Sequence, residues 1–344
     1  MADSRTQDRN VGIDLAKILL MYLVVVGHII NVGHVESFQT VYQIIYWFHM
    51  PAFFLITGYL TNLSKESFII FAKRKAINYL IPYFTYCLLI FVVFRPRILA
   101  HFFRTFYGGG VHAGPTGPFW YISCLFVTLL FFKLLAKYDK NVVILVTLIL
   151  WIVVHYFKDW LFLPTPAILV NPLKSPTIPL PWGMSQLFLS AMFFLLGQYA
   201  NRARVSELLN NKLPLIIGVT LIILVACINY EFDMKKLEAN HVFLDVFIPI
   251  LFTLLIMALS SLITKHFPYT MQRLVVSMSK SSLVCLYIHM AVIHILSDWL
   301  HIVFNEFGVF AIALLIWGLA YIFYQFCLLS RVTSLLFLGY YKRK

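Results

Sequence analysis

With 344 residues of which 61% are hydrophobic and only 12% charged, the chain is too poor in charge to keep the surfaces of soluble domains wet. Its net charge of +13 would suit nucleic acid. The basic residues, however, lie in short clusters between apolar stretches, which excludes a nucleic-acid face and fits the positive-inside rule and anionic lipid headgroups. Composition therefore predicts an all-α, polytopic transmembrane helical bundle: one integral-membrane domain over 1–344, with a short tail at 1–10 and a basic tail at 331–344.

Apolar stretches long enough to cross the hydrocarbon core fall near 11–33, 40–61, 78–95, 118–136, 141–157, 183–201, 213–230, 242–263, 276–298 and 307–330. The first is read as a retained span and not a signal peptide, because it carries Asp14 and Lys17. Under a ten-span count the clusters at Arg5 and Arg9, Lys65 to Lys75, Lys137 and Lys140, Arg202 to Lys212, Lys265 and Arg273, and Arg331 to Lys344 share one side. The opposite side holds fewer cations, among them Arg95, Arg104, Lys235 and Lys236, so both termini are expected in the cytoplasm. A multi-pass protein of the inner (plasma) membrane follows.

Three connecting segments stand out. Residues 96–117 and the proline-rich 158–182 are the long outer loops, read either as ordered interfacial loops or as plain connectors. Residues 64–77 on the inner side mix apolar and basic residues, which suits a short helix on the headgroups or a binding role. The five cysteines fall inside apolar spans with no zinc-type spacing, so they read as packing residues and no metal is expected.

Ionisable groups within spans need a reason to be there. On the first span Asp14 lies one turn before Lys17, and His28 follows eleven residues later, almost three full turns on, so the three form one polar stripe. Lys17 belongs near the cytoplasmic end, and His28 lies roughly 16 Å further along the axis. A structural ion pair explains Asp14 and Lys17 equally well, and a hydrogen bond to a neighbouring helix explains His28. The second span brings His49 to a similar depth, beside Pro51, which frees the Trp47 carbonyl. Two imidazoles at one depth fit a proton-handling site, or a hydrogen-bonded pair without chemistry. The ninth span adds Ser281, Ser282, Tyr287 and His289, with Ser282 and His289 nearly on one face. Trp120 follows the helix-opening Gly117-Pro118, and Asp245 reads as a cavity or an interfacial residue. Glycine-rich phosphate loops, G-x-S-x-G elbows and paired-histidine zinc helices are missing from the sequence.

These segments resemble the acyltransferase-3 family of membrane acyltransferases, in particular its fucose 4-O-acetylase-like branch of sugar O-acetyltransferases. The resemblance rests on Lys17 and His28 within IDLAKILLMYLVVVGH and on Phe48-His49-Met50-Pro51 through Gly58-Tyr59. It continues through Lys73-Arg74-Lys75, Leu80 to Tyr83, Gly117 to Trp120, Phe193 to Gly197, and Ser281 to His289. The family's first-helix cation is often arginine; Lys17 keeps the charge and gives up the bidentate fork. The resemblance implies acetyl-CoA as a cytoplasmic acyl donor and a saccharide or glycolipid acceptor at a membrane-embedded site. It points to His28 as general base and His49 as second catalytic group, and to Lys73, Arg74 and Lys75 on the donor phosphates. Asp14, Lys17, Trp120, Ser282 and His289 would support them. A transporter or flippase with a proton relay is the rival reading, and a non-catalytic scaffold a third.

Overall fold

The computed structural model describes residues 10–169, 175–200, 218 and 230–340. Its helices are α1 (Val11–Gly33), α2 (Gln39–Leu60), α3 (Phe68–Phe94), α4 (Ile98–Tyr107), α5 (Trp120–Leu135) and α6 (Lys140–Tyr156). They continue with α7 (Met184–Tyr199), α8 (Leu244–Thr264), α9 (Tyr269–His294), α10 (Glu306–Cys327) and α11 (Arg331–Leu338). One two-stranded antiparallel ribbon, β1 (Phe162–Pro164) with β2 (Thr177–Pro179), pairs Leu163 with Ile178. The protein is thus an all-α membrane bundle, as composition predicts. Among the described residues six helical stretches are long and apolar enough to cross a bilayer: α1, α3, Gly114–Leu135, α8, Tyr269–Trp299 and α10. Helices α2, α6 and α7 coincide to within a few residues with three further expected spans. The expected span at 213–230 lies outside the described residues, except at Gly218 and Tyr230.

Helix α1 is the axis of the bundle, packed against α2, α8, α9 and α10. Its sequence makes that position stable: Ala16, Leu20, Val25, Val26 and Ile29 are fully buried, and the Asn10 side chain caps the start by accepting from the Ile13 N–H at 3.2 Å. The outer helices carry the opposite signature. Leu145, Leu148, Ile149 and Ile152 of α6 and Phe307, Leu314, Leu315 and Ile322 of α10 are exposed, a row of apolar side chains suited to lipid.

Two glycines set the closest helix contact. A Cβ on Gly58 of α2 would collide with the Phe194 carbonyl of α7, and a Cβ on Gly197 would collide with the Leu55 carbonyl. Small residues let the two backbones touch, so dispersion contact and hydrogen bonding hold the pair where the hydrophobic effect is weak. Gln198 reinforces the contact by donating to the Gly58 and Thr61 carbonyls.

One expectation changes. Residues 64–77 do not form a separate headgroup helix, because Phe68 through Phe94 is one unbroken helix of 27 residues. Phe71 is fully buried and Lys75 nearly so, which ties one face of the basic stretch into the bundle, whereas Phe68, Ile69 and Ile70 are exposed. The outer loops also acquire order: residues 96–117 contain α4, and residues 158–182 contain the β1–β2 ribbon.

Candidate active site

Two of the cavities among the described residues hold most of the expected site residues. The first, of about 520 Å³, is ringed by five cations: Lys17 of α1, Lys65 in the segment before α3, Arg74 and Lys75 of α3, and Lys280 of α9. Lys17 pairs with Asp14 at 3.5 Å, and Asp14 also accepts from Ser279 Oγ at 2.7 Å, so the buried carboxylate couples α1 to α9. The Lys75 ammonium lies 5.4 Å from the Phe71 ring centre and 5.6 Å from that of Tyr79, an aromatic cradle for a largely buried charge. Arg74 is tied to Glu66. Lys73 does not take part; it is exposed on the outer face of α3. Of the three expected donor-phosphate residues, two therefore line the cavity and the third points away.

The second cavity, of about 280 Å³, is the histidine site. His28 of α1 and His49 of α2 both line it, together with Tyr46, Trp120, Asp233 and Lys235. The two imidazoles thus line one cavity, but no direct contact joins their rings among the described residues. Tyr46 stands between them, its hydroxyl 3.4 Å from His28 Nδ1 and its ring centre 4.8 Å from that of His49. The ring packed on His28 is His289 of α9, at 5.1 Å between centres.

Hydrogen bonds fix two of the three tautomers. His49 Nδ1 lies 2.7 Å from the Ile45 carbonyl and His289 Nδ1 lies 2.8 Å from the Cys285 carbonyl. A carbonyl only accepts, so each Nδ1 carries the hydrogen and each neutral ring presents Nε2 as a lone pair. For His289 that nitrogen is buried without a partner among the described residues. The site thus holds imidazoles whose Nε2 atoms carry a lone pair.

The two cavities share Phe53, Tyr121 and Leu286. The Phe53 and Tyr121 rings, with centres 5.9 Å apart, lie at the boundary common to both cavities, called the neck below. One face of α2 lines the whole path: Tyr42 and Tyr46, then His49 and Met50, Phe53, Ile56 and Thr57, and Leu60, in steps of three and four. Lys17 and His28, in register on α1, stand in the cation cavity and the histidine cavity respectively. The same separation divides Ser282 from His289. Two helical turns apart on α9, Ser282 lines the cation cavity, whereas His289 lies against His28.

Other candidates fall elsewhere. Asp245 is fully buried outside both cavities, accepting from the His241 N–H at 2.9 Å and lying 3.0 Å from His155 Nε2, which ties α8 to α6. Tyr287 donates to the Tyr79 carbonyl at 3.1 Å and stacks on Tyr86. The described cysteines, Cys87, Cys124, Cys285 and Cys327, are buried and free, as packing residues should be. Sequence reasoning missed Tyr46, Lys235 and Lys280 as cavity residues. The three-residue step from Tyr46 to His49 was a usable signal; nothing in the sequence brought Lys235 or Lys280 to a site.

Comparison with known proteins bears on the family of the chain. The chain is 25% identical over 181 residues to the nodulation protein NolL of Mesorhizobium japonicum, covering 51% of this chain and 46% of that protein. It is 30% identical over 146 residues to NolL of Sinorhizobium fredii, covering 38% of each. The matches thus span less than half the length of these curated relatives. No solved structure matches the chain. The model of the acyltransferase-3 family, described as an acyltransferase domain, matches residues 10–329 and so takes in both cavities and the neck. The bundle belongs to the acyltransferase-3 family.

Proposed function

We propose that the chain, acting as one membrane domain, transfers an acetyl group from cytoplasmic acetyl-CoA to a hydroxyl of a cell-envelope saccharide or glycolipid. The observation that carries this reading is the pair of cavities, cationic on one side and imidazole-lined on the other, joined at Phe53, Tyr121 and Leu286. Coenzyme A matches that division. Its phosphates call for cations, supplied by Lys17, Lys65, Arg74, Lys75 and Lys280. Its pantetheine arm is thin enough to bring a thioester to an aromatic neck.

On this reading the acceptor hydroxyl occupies the histidine cavity. Its oxygen attacks the thioester carbonyl carbon as His28 takes the proton, with His49 as second base. The tetrahedral oxyanion collapses, the C–S bond breaks, and the departing thiolate recovers the proton from the imidazolium. Direct transfer is favoured over an acyl-enzyme because the described lining of the histidine cavity includes no Ser or Cys to carry the acyl group. Burial of the histidines serves the reaction twice, by holding the acceptor in line and by keeping water from the thioester.

The test uses purified chain with acetyl-CoA, following free CoA and acetylated product with and without candidate glycans. Slow hydrolysis alone, accelerated by the right glycan, is expected. Absence of CoA release under every condition overturns the reading.

A further inference from the structure

Residues 230–240 fold into the mouth of the histidine cavity as a tight hairpin, closed by reciprocal 3.0 Å backbone bonds between Asp233 and Glu238. The Asp233 carboxylate is spent on that fold, accepting from the backbone N–H groups of Lys235 and Lys236 at 2.8 and 3.3 Å. The Lys235 side chain reaches inward. Its ammonium donates to the His112 carbonyl at 2.9 Å and to the Gly117 carbonyl at 3.2 Å, and it lines the same cavity as His28 and His49.

We propose, building on the acetyl-transfer reading above, that Lys235 is the electrophilic residue of the reaction, donating to the thioester carbonyl oxygen as it becomes an oxyanion. Three features carry this. Two neutral carbonyls position the ammonium without cancelling its charge, and an ammonium has three donors, so one remains for substrate. Gly117 lies in the short helical turn Gly114–Phe119 that runs directly into Trp120 and Tyr121. Lys235 and Tyr121 line the same cavity, and this turn links the Lys235 contact at Gly117 to Tyr121. A fixed cation in a partly buried site stabilises developing charge more than it would in solution.

The chemistry balances without another reagent. As the hydroxyl oxygen bonds to the carbonyl carbon, the π pair moves to oxygen, where Lys235 meets it, and the proton goes to imidazole. Collapse returns the pair, breaks C–S, and releases Lys235 unchanged.

Burial pushes the Lys235 ammonium down to about 8, opposed by Asp233, with Lys236 and Arg104 adding to the fall. The imidazoles facing it are His112 and His28. A required ammonium is charged below that value and lost above it, so activity should decline as pH rises past about 8.

Full-length wild type, Lys235→Met and Lys235→Arg are compared in detergent with acetyl-CoA as probe. Wild type that releases no CoA removes the acetyl-transfer reading itself. With wild type active, Lys235→Met should lose about 10²-fold in kcat, with the KM for acetyl-CoA little changed. Lys235→Arg should keep most activity and shift the alkaline limb upward, because a guanidinium stays charged throughout that range. Lys235→Met at near wild-type kcat overturns the proposal. So does an alkaline limb in Lys235→Arg that coincides with wild type, an outcome readable even where the Met variant fails to fold.

Discussion

The rings of His28 and His289 lie 5.1 Å apart, tilted by 38°, although they belong to the first described helix of the bundle and to α9 near its end. This pairing puts a buried lone pair, the free Nε2 of His289, beside the proposed general base. His28→Gln should remove at least ~10²-fold of acetyl transfer while the protein folds and binds acetyl-CoA, since glutamine keeps hydrogen bonding but accepts no proton near neutral pH. His289→Phe keeps a ring against His28 and deletes the lone pair; a roughly 10-fold or larger loss in kcat is expected if the two imidazoles share the proton. Transfer at the wild-type rate by His28→Gln moves the base assignment to His49.

Donor binding should follow cavity geometry and not the run of basic residues. Replacing Arg74, Lys75 and Lys280 with glutamine should raise the KM for acetyl-CoA by about 10-fold or more, with a smaller change in kcat, because the phosphates stay chemically unchanged during transfer. Lys73→Gln should leave both constants alone, since Lys73 faces outward. Equal effects from Lys73 and Lys75 would show that general basicity, and not the cavity, holds the donor.

The contact of α2 with α7 depends on two missing side chains. Gly197→Leu should push the helices apart against the Leu55 carbonyl, destabilising the bundle by about 1–3 kcal/mol or more. Thermal unfolding in detergent checks this. Activity should fall with it, because α2 carries His49 and Phe53 into the site.

Sidedness remains an expectation from the basic loops. Single cysteines at Pro176 and Lys236, both exposed, should react with an impermeant thiol reagent on intact cells. Cysteines at Lys73 and Lys342 should react only after permeabilisation. Reaction of Lys342→Cys from outside would overturn the placement of both termini in the cytoplasm.

Much of the site was legible in the sequence because helix periodicity acts within one helix. The eleven-residue step from Lys17 to His28 fixes their common face and their separation along α1, and the structure puts them in two joined cavities on that basis. The seven-residue step from Ser282 to His289 was also read on the right face, but its length already spans two turns, enough to divide the residues between cavities. Lys73, Arg74 and Lys75 are adjacent in the sequence, but at about 100° per residue three consecutive side chains cannot share a face.

By itself the sequence determined the membrane bundle, most helix positions to within a few residues, the polar stripe of α1 and the resemblance to the family. Low charge and long apolar runs leave no other way to satisfy the backbone in lipid. The tertiary structure alone decided which residues from different elements meet: His289 and not His49 against His28, Tyr46 between the two catalytic candidates, Lys280 among the cations of the first cavity, and Lys235 at the mouth of the second. Those meetings depend on how far apart two helices stand and at what rotation. Such distances are set by side-chain volumes at crossings like Gly58 with Gly197, contacts between residues remote in sequence that no local spacing encodes.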